Sequence, residues 1–294
     1  MARWAFAVMC VYGLIALADS VGWADNKNAP RKTVIDRIFE RPQERTYSAP
    51  LATRTTGEPR PRPLQHGRHL LGTDGTGNDV LYMTLKGCRT AIIIGGLTSL
   101  IVTPLALFFG MTAGYFGKRA DDAVQYLYTV LDSIPGILLL IALMLVLGRG
   151  LVQMCVALGI TSWVGLCRLT RAETLKHRDR EYVRAARALG VSAPRILVRH
   201  ILPNLLPVVI ISVTLGFSGL VLYEAILSYL QIGVEAGTGS WGNMIDAARL
   251  ELAREPVIWW NLAAASTALF VLVLAFNLFG DALRDAIDPR LRSS

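Results

Sequence analysis

Long stretches without charge constrain this chain more than any other sequence feature. Residues 90–117, 150–167 and 256–280 contain no Asp, Glu, Lys or Arg, and residues 123–148 and 200–234 contain one acid each. A helix of about 20 apolar residues spans the hydrocarbon core of a bilayer, where backbone groups must be hydrogen-bonded within the segment. We therefore predict one membrane-spanning helix in each of these five stretches.

The composition agrees with a membrane protein and argues against two other classes. Hydrophobic residues make up 53% of the 294 residues, charged residues only 18%, and the mean hydropathy is +0.43. A net charge of +8 would suggest nucleic-acid binding in a soluble protein, but here the charges cluster between the apolar stretches and indicate membrane topology. The four cysteines form no CxxC pair and the four histidines are scattered, so we expect neither a disulfide framework nor a metal site.

The N-terminal region allows two interpretations. Residues 1–18 are mostly apolar and end in Ala16-Leu17-Ala18, which fits either a first membrane-spanning helix or a signal peptide with its cleavage site. Both interpretations place residues 19–86 on the outer side of the membrane, where frequent prolines predict an extended, partly disordered loop. Residues 87–294 then form the main all-α transmembrane domain.

The distribution of basic residues predicts which loops face the cytoplasm. Residues 168–207 carry nine Lys or Arg against three acids, whereas residues 231–255 carry two Arg against four acids. Cytoplasmic loops of membrane proteins carry an excess of Lys and Arg. We therefore predict that the first loop lies in the cytoplasm, that the second lies outside, and that the C-terminal tail from Asp281 is cytoplasmic.

The predicted cytoplasmic loop has the pattern of two short helices joined by a glycine. Residues 180–189 contain no helix breaker. Three apolar residues recur there at helical spacing: Tyr182, Ala186 and Leu189. Gly190 provides a left-handed stop, and a second helix is predicted from Ser192 to Pro203.

Small side chains and flanking arginines make the first of these helices a candidate docking surface. Its alanines keep it thin enough to enter a groove, and Arg184 and Arg187 flank it for contact with an acidic rim. The alternative is a basic helix that lies on anionic lipid headgroups, which explains the arginines but gives no role to the alanines. The pattern favours a protein partner.

Several spaced motifs resemble one known family. Residues 181–190 (EYVRAARALG), followed by 200–204 (HILPN), are similar to the EAA loop of ABC importer permeases, and more narrowly to the dipeptide, oligopeptide and nickel permease family. Further matching stretches are residues 71–74, 113–117, 240–244, 277–285 and 288–290. Arg184 stands where the family has the acidic first residue of its EAA triplet, and Asn78 stands where it usually has arginine.

The resemblance implies both a fold and a function. The fold is a type I ABC importer permease-like bundle of six transmembrane helices, or five if the first is a cleaved signal, in the bacterial inner membrane. The function is the import of di- or oligopeptides through a pathway of which this chain forms half, with nickel or another small solute as the alternative. The EAA-type loop covers residues 168–206.

The resemblance also implies the partners. They are a second homologous permease, two cytoplasmic nucleotide-binding ATPase subunits, an external solute-binding protein and the lipid bilayer, with no nucleic acid. The sequence contains no GxxxxGK[ST] phosphate-binding motif, so ATP is expected on the partner subunits and no cofactor on this chain.

In the family this loop is a coupling helix that sits in a cleft of the ATPase. The resemblance therefore assigns an ATPase-coupling surface to seven residues: Glu181, Arg184, Ala185, Ala186, Gly190, Leu202 and Pro203.

Two acids lie at the predicted depth of the membrane. A charge in the bilayer centre costs about 2.5 to 3.5 kcal/mol on insertion scales, so such acids normally face protein or water. Asp132, close to Pro135, either lines the translocation pathway or makes a structural bond to a neighbouring helix. Glu224 lies deeper in its stretch and is the better candidate for a pathway residue.

Single features are compatible with two other functions. Residues 216–219 match the GxSG of intramembrane serine proteases, but no histidine follows His200 to act as a base, so we interpret Gly216 and Gly219 as packing glycines and expect no enzymatic activity. A passive channel is the third possibility, and it would need no ATPase. Co-purification of an ATPase separates a permease from a channel.

Overall fold

The computed structural model describes residues 1–23, 31–39, 46–51, 69–235 and 237–287. Much of the loop that the sequence predicts to be partly disordered lies outside these ranges, as does the matching stretch 288–290. In chain order the helices are α1 (Ala2–Ser20), α2 (Val34–Phe39), α3 (Val80–Phe116), α4 (Lys118–Asp132), α5 (Gly136–Leu147), α6 (Leu151–Thr161), α7 (Trp163–Arg178), α8 (Glu181–Ala188), α9 (Ala193–Ile196), α10 (Leu202–Tyr229), α11 (Trp241–Glu251) and α12 (Trp260–Ile287). Strands β1 (Gly22–Trp23) and β2 (Lys32–Thr33) pair antiparallel, with Gly22 opposite Thr33.

Five continuous helices in the described part of the chain are long and apolar enough to cross a membrane. They are Ala2–Ser20, Val80–Phe116, Leu151–Arg178, Ala193–Tyr229 and Trp260–Ile287. Helices α4 and α5 together pass the same test as a sixth, broken span. The predicted all-α membrane fold with six spanning segments is therefore confirmed.

The stretch 123–148 does not form the single helix that its lack of charge suggests. Helix α4 ends at Asp132, α5 begins at Gly136, and the two axes differ by 83°. Pro135 lies between them, and a proline lacks the N–H that a continuous helix needs and disfavours helical geometry in the residue before it. The break moves Asp132 to a helix end.

The sequence predicts that the second short helix of the predicted cytoplasmic loop ends at Pro203. In the structure the helix continues past this residue. Helix α9 continues through a π-helical turn, Leu197–Ile201, into α10, in which Pro203 occupies the first turn. The N–H of Leu202 bonds to the carbonyl of Leu197, five residues back. The π-helical turn shifts the hydrogen-bond register directly before Pro203, which accommodates the proline without ending the helix. The second half of the predicted cytoplasmic loop and the apolar helix that follows thus form one continuous helix, Ala193–Tyr229.

Glycines let the central helices α3 and α7 approach closely. A Cβ added at Gly114 would lie 2.7 Å from the carbonyl oxygen of Arg171, and one at Gly110 would collide with Thr170. Small residues spaced four apart allow such close backbone packing between membrane helices. Helix α1 packs in turn against α3 and α12.

Candidate functional site

Helix α8 is anchored to the C-terminal end of α3 and the start of α10 through two buried side chains. Val183 and Ala186 belong to one apolar cluster with residues of α3, α9 and α10. The other buried members are Met111, Tyr115, Ile196, Leu197, Ile201, Leu205 and Val209. Val183 and Ala186 thus connect α8 to α3 and α10 through one packed cluster, which also contains residues of α9 and of the π-helical turn.

A left-handed residue ends α8 and turns the chain toward α9. Gly190 has φ +73° and donates to the carbonyl of Arg187 at 3.0 Å, while the N–H of Val191 bonds to the carbonyl of Ala186 at 3.1 Å. These bonds satisfy carbonyl groups that a helix end leaves free. They require a left-handed backbone conformation at residue 190, which glycine adopts without the strain that other residues would have. The turn predicted at Gly190 is present.

The seven residues assigned to the coupling surface do not all face outward. Five are exposed: Glu181, Arg184, Ala185, Gly190 and Pro203. Leu202 is half-buried and Ala186 is buried, so both support the surface from beneath. The predicted stripe of Tyr182, Ala186 and Leu189 does not share one face either, because Leu189 is 84% exposed.

Polar contacts fix the helices on either side of this surface. The Arg187 guanidinium lies 5.4 Å from the centre of the Tyr115 ring on α3. The hydroxyl of Tyr182 lies 2.7 Å from Nδ1 of His177 on α7, and partial burial raises the pKa of Tyr182. Arginine over an aromatic face is favourable, so α8 is held by charge as well as by apolar packing.

Asp132 is paired with a residue of the neighbouring helix. Its carboxylate forms an ion pair with Arg168 of α7, and both side chains are close to half exposed. The Arg168 guanidinium also lies 4.7 Å from the centre of the Tyr128 ring. This is the structural bond to a neighbouring helix that the sequence left open, and a role for Asp132 in the pathway stays a prediction.

Glu224 joins α10 to helix α11. The carboxylate is 1% exposed, and its Oε1 accepts from Ser228 at 2.8 Å and from Ser240 at 2.6 Å. Ser240 also caps α11, so the acid lies at the positive end of that helix. Ser240 is not among the site residues predicted from the sequence, although a serine directly before a helical pattern is a capping signal. A pathway role for Glu224 stays a prediction.

The serine of the protease-like motif packs against a helix backbone. Ser218 is buried, and its hydroxyl donates to the carbonyl of Val273 on α12 at 3.4 Å. The described ranges contain no group of three or more His, Cys, Asp or Glu side chains that could hold a metal ion.

Comparisons with known proteins agree on one family. The family model "Binding-protein-dependent transport system inner membrane component" matches residues 106–293. The chain is 34% identical over 224 residues to the oligopeptide transport system permease protein OppC of Bacillus subtilis (strain 168). The matched region covers 76% of this chain and 72% of that protein. It is 36% identical over 228 residues to the di/tripeptide transport system permease protein DppC of Pseudomonas aeruginosa (strain UCBPP-PA14), with 77% and 74% covered.

Solved structures with a similar fold include two transporters. One is an inward-facing conformation of the MetNI methionine ABC transporter, with a TM-score of 0.57 and 18% identity over 71% of this chain and 97% of that one. The other is an amino acid ABC transporter with histidines, with a TM-score of 0.53 and 16% identity over 70% and 94%. At these identities the likeness establishes the fold.

Proposed function

Because this chain belongs to the family of binding-protein-dependent transport system inner membrane components, we propose that it is a permease subunit for the import of di- or oligopeptides. The names of both relatives quoted above refer to peptides, which favours peptides over nickel or another small solute. An inner-membrane transport component is not an enzyme.

The proposal includes the partners and the topology. Two copies of a cytoplasmic ATPase, a second homologous permease and an external binding protein complete the transporter, and ATP binds to the ATPase. The basic residues around α8 support a cytoplasmic location for this loop and for the end of the chain after α12. The pathway runs between the two permeases.

One observation carries the proposal: α8 is fixed to α3 and α10 while its outer face is open. Glu181, Arg184 and Ala185 point away from the cluster that holds Val183 and Ala186. A helix that was only an internal support would not need an exposed Leu189 and two exposed arginines. This arrangement suits a lever that a separate motor subunit moves.

A matched pair of leucines tests the proposal. We expect Leu189→Asp to abolish co-purification of the ATPase with the membrane-inserted permease, because it places a charge on the docking face. Leu250→Asp is the control, since Leu250 is 70% exposed on external α11. ATPase retained by Leu189→Asp, or lost equally in both variants, would contradict the proposed coupling surface.

A further inference from the structure

A cavity of about 400 Å³ opens between α3, the α6–α7 junction and α10. Four hydroxyl side chains line it: Ser99, Thr103, Ser162 and Ser212. Ser99 and Thr103 lie in the uncharged stretch 90–117, Ser162 in the stretch 150–167, and Ser212 in the stretch 200–234. The cavity therefore lies between stretches that are predicted to cross the membrane.

A second hollow of similar size continues this cavity along the same face. It shares Ser99, Thr103 and Val213 with the first and adds Pro104 and Thr214. We call the two together the hydroxyl groove. All residues that line it are uncharged, in contrast to Asp132 and Glu224, whose carboxylates are engaged by other side chains.

The groove contains hydroxyls that the protein itself does not satisfy. Ser99 donates to the carbonyl of Gly95 at 2.6 Å and Thr214 to that of Ile210 at 2.8 Å. The hydroxyls of Thr103, Ser162 and Ser212 make no hydrogen bond with a residue that the structure describes. A hydroxyl without a partner is costly against lipid chains, so these three positions are better suited to water or a polar solute, in a groove whose other lining residues are mostly apolar.

Glycines leave the groove open. A Cβ added at Gly165 or Gly216 would meet nothing within 4 Å, whereas one at Gly95 would collide with Phe217. Gly216 and Gly219 are therefore not the packing glycines that the sequence suggested, since Gly219 also has free space. The absence of a side chain at Gly165 and Gly216 widens the groove. Neither glycine is in close contact with another helix of this subunit.

We propose that the hydroxyl groove is this subunit's wall of the translocation pathway and that its hydroxyls bind the main-chain amides of a peptide in transit. This inference rests on the proposed import of peptides. A hydroxyl both donates to a carbonyl and accepts from an N–H, so it fits every peptide unit. A lining without charge does not favour one sign of side-chain charge over the other, so the groove does not distinguish Lys-containing from Glu-containing peptides.

Cysteine labelling of the assembled transporter tests whether the groove is wet. In a background with all four native cysteines replaced, Thr103→Cys, Ser162→Cys and Ser212→Cys should react with a charged, membrane-impermeant thiol reagent. Trialanine should slow the reaction. The control is Phe270→Cys, which is exposed near the middle of α12 and outside the groove. Groove cysteines that react no faster than this control would mean that lipid or the second permease fills the groove, and would overturn the proposal.

Transport measurements test the binding role. Thr103→Val, Ser162→Ala and Ser212→Ala combined should lower kcat/KM for trialanine uptake about tenfold, since each neutral hydrogen bond contributes modestly. Tripeptides that contain Lys or Glu should be affected equally. The control is Thr112→Val with Ser133→Ala, whose hydroxyls donate to their own helices outside the groove.

The results separate this inference from the proposed function. Uptake by the triple variant at the rate of the control would overturn the inference and leave the peptide importer intact. If the unaltered transporter imports neither trialanine nor another peptide, the proposed function fails, and the assignment of peptide amides to the groove fails with it. A drop confined to peptides of one charge would also contradict the neutral lining.

Discussion

At the scale of single residues, Gly190 governs how α8 is presented. Its φ of +73° lies in the left-handed region, where a residue with a Cβ costs roughly 1–2 kcal/mol. The space around it is open, since an added Cβ would meet no atom within 4 Å. The constraint is therefore conformational and can be tested without a steric clash.

We expect Gly190→Val to reduce ATP-driven uptake strongly, because a β-branched residue resists this conformation and would tilt or unwind the end of α8. Gly190→Asn is the matched control, because asparagine tolerates the left-handed region better. Uptake in proteoliposomes and ATPase retention measure the effect. Equal uptake by the valine and asparagine variants would show that the backbone geometry at this turn is unimportant.

Glu251 is a second residue with a testable consequence. It is buried at the end of α11, where it accepts from the N–H of Gly75 at 3.1 Å and from the side chain of Asn261 at 3.0 Å. Burial raises the pKa of Glu251 above its ordinary value of 4.5, against the effect of these hydrogen bonds. The folded protein therefore holds this proton more tightly than the unfolded chain does.

The sign of the pH dependence follows. The stability contributed by protonated Glu251 is complete below pH 4.5 and is lost as the pH rises through its higher, folded-state pKa. We expect Glu251→Gln to flatten the decline of Tm between pH 4.5 and neutrality, measured by thermal unfolding in detergent. Glu235→Gln, at an exposed acid, should follow the unaltered protein. A Tm profile of Glu251→Gln parallel to that of the unaltered protein would rule out this role.

At the scale of elements, α1 is fixed within the bundle at both its middle and its end. Tyr12 donates to the carbonyl of Ala268 on α12 at 3.0 Å. Asp19 is 1% exposed, accepts from the hydroxyl of Thr33 at 2.9 Å and lies 3.4 Å from Nζ of Lys86. Asp19 would stay in the chain after cleavage behind Ala18, but removal of residues 1–18 would abolish the Tyr12 bond and the packing of α1 against α3 and α12.

We therefore propose that residues 1–18 are a retained first membrane helix rather than a cleaved signal. Mass spectrometry of the purified transporter should find a chain that includes α1. Lys86→Met should lower Tm, because it leaves the buried Asp19 without this partner. Lys176→Met is the control, since Lys176 pairs on an exposed surface with Glu173. A mature chain that begins at Asp19 would refute the proposal.

At the scale of the whole molecule, local sequence patterns predicted what depends on local physics. Absence of charge located the membrane helices, and Gly190 located the turn, because both are decided within a few residues. At Pro135 the sequence permits a kink and the structure has a full break of 83°, whereas the continuation of the helix past Pro203 was not predicted. A proline marks a disturbance, but the surrounding packing decides whether a helix breaks, as at Pro135, or continues, as at Pro203.

The candidate site shows the same division. Which residues of α8 face outward could not be read from spacing alone, because Val183 and Ala186 are buried only once α3 and α10 are in place. The partners of the intramembrane acids are distant or unexpected as well: Arg168 lies on another helix, and Ser240 follows a loop. Sequence indicated that these acids needed partners, and tertiary structure supplied them.

The uninterrupted helix Ala193–Tyr229 has a mechanical consequence. At 1.5 Å per residue, its 37 residues extend about 55 Å, so a tilt of about 10° around its centre shifts each tip by about 5 Å. A push from the cytoplasm at α8 would then swing Glu224, and α11 bonded to it, in the opposite direction on the far side. Opening of the pathway on the inner side and its closure on the outer side would result from a single rotation of this helix around a pivot near Ser212.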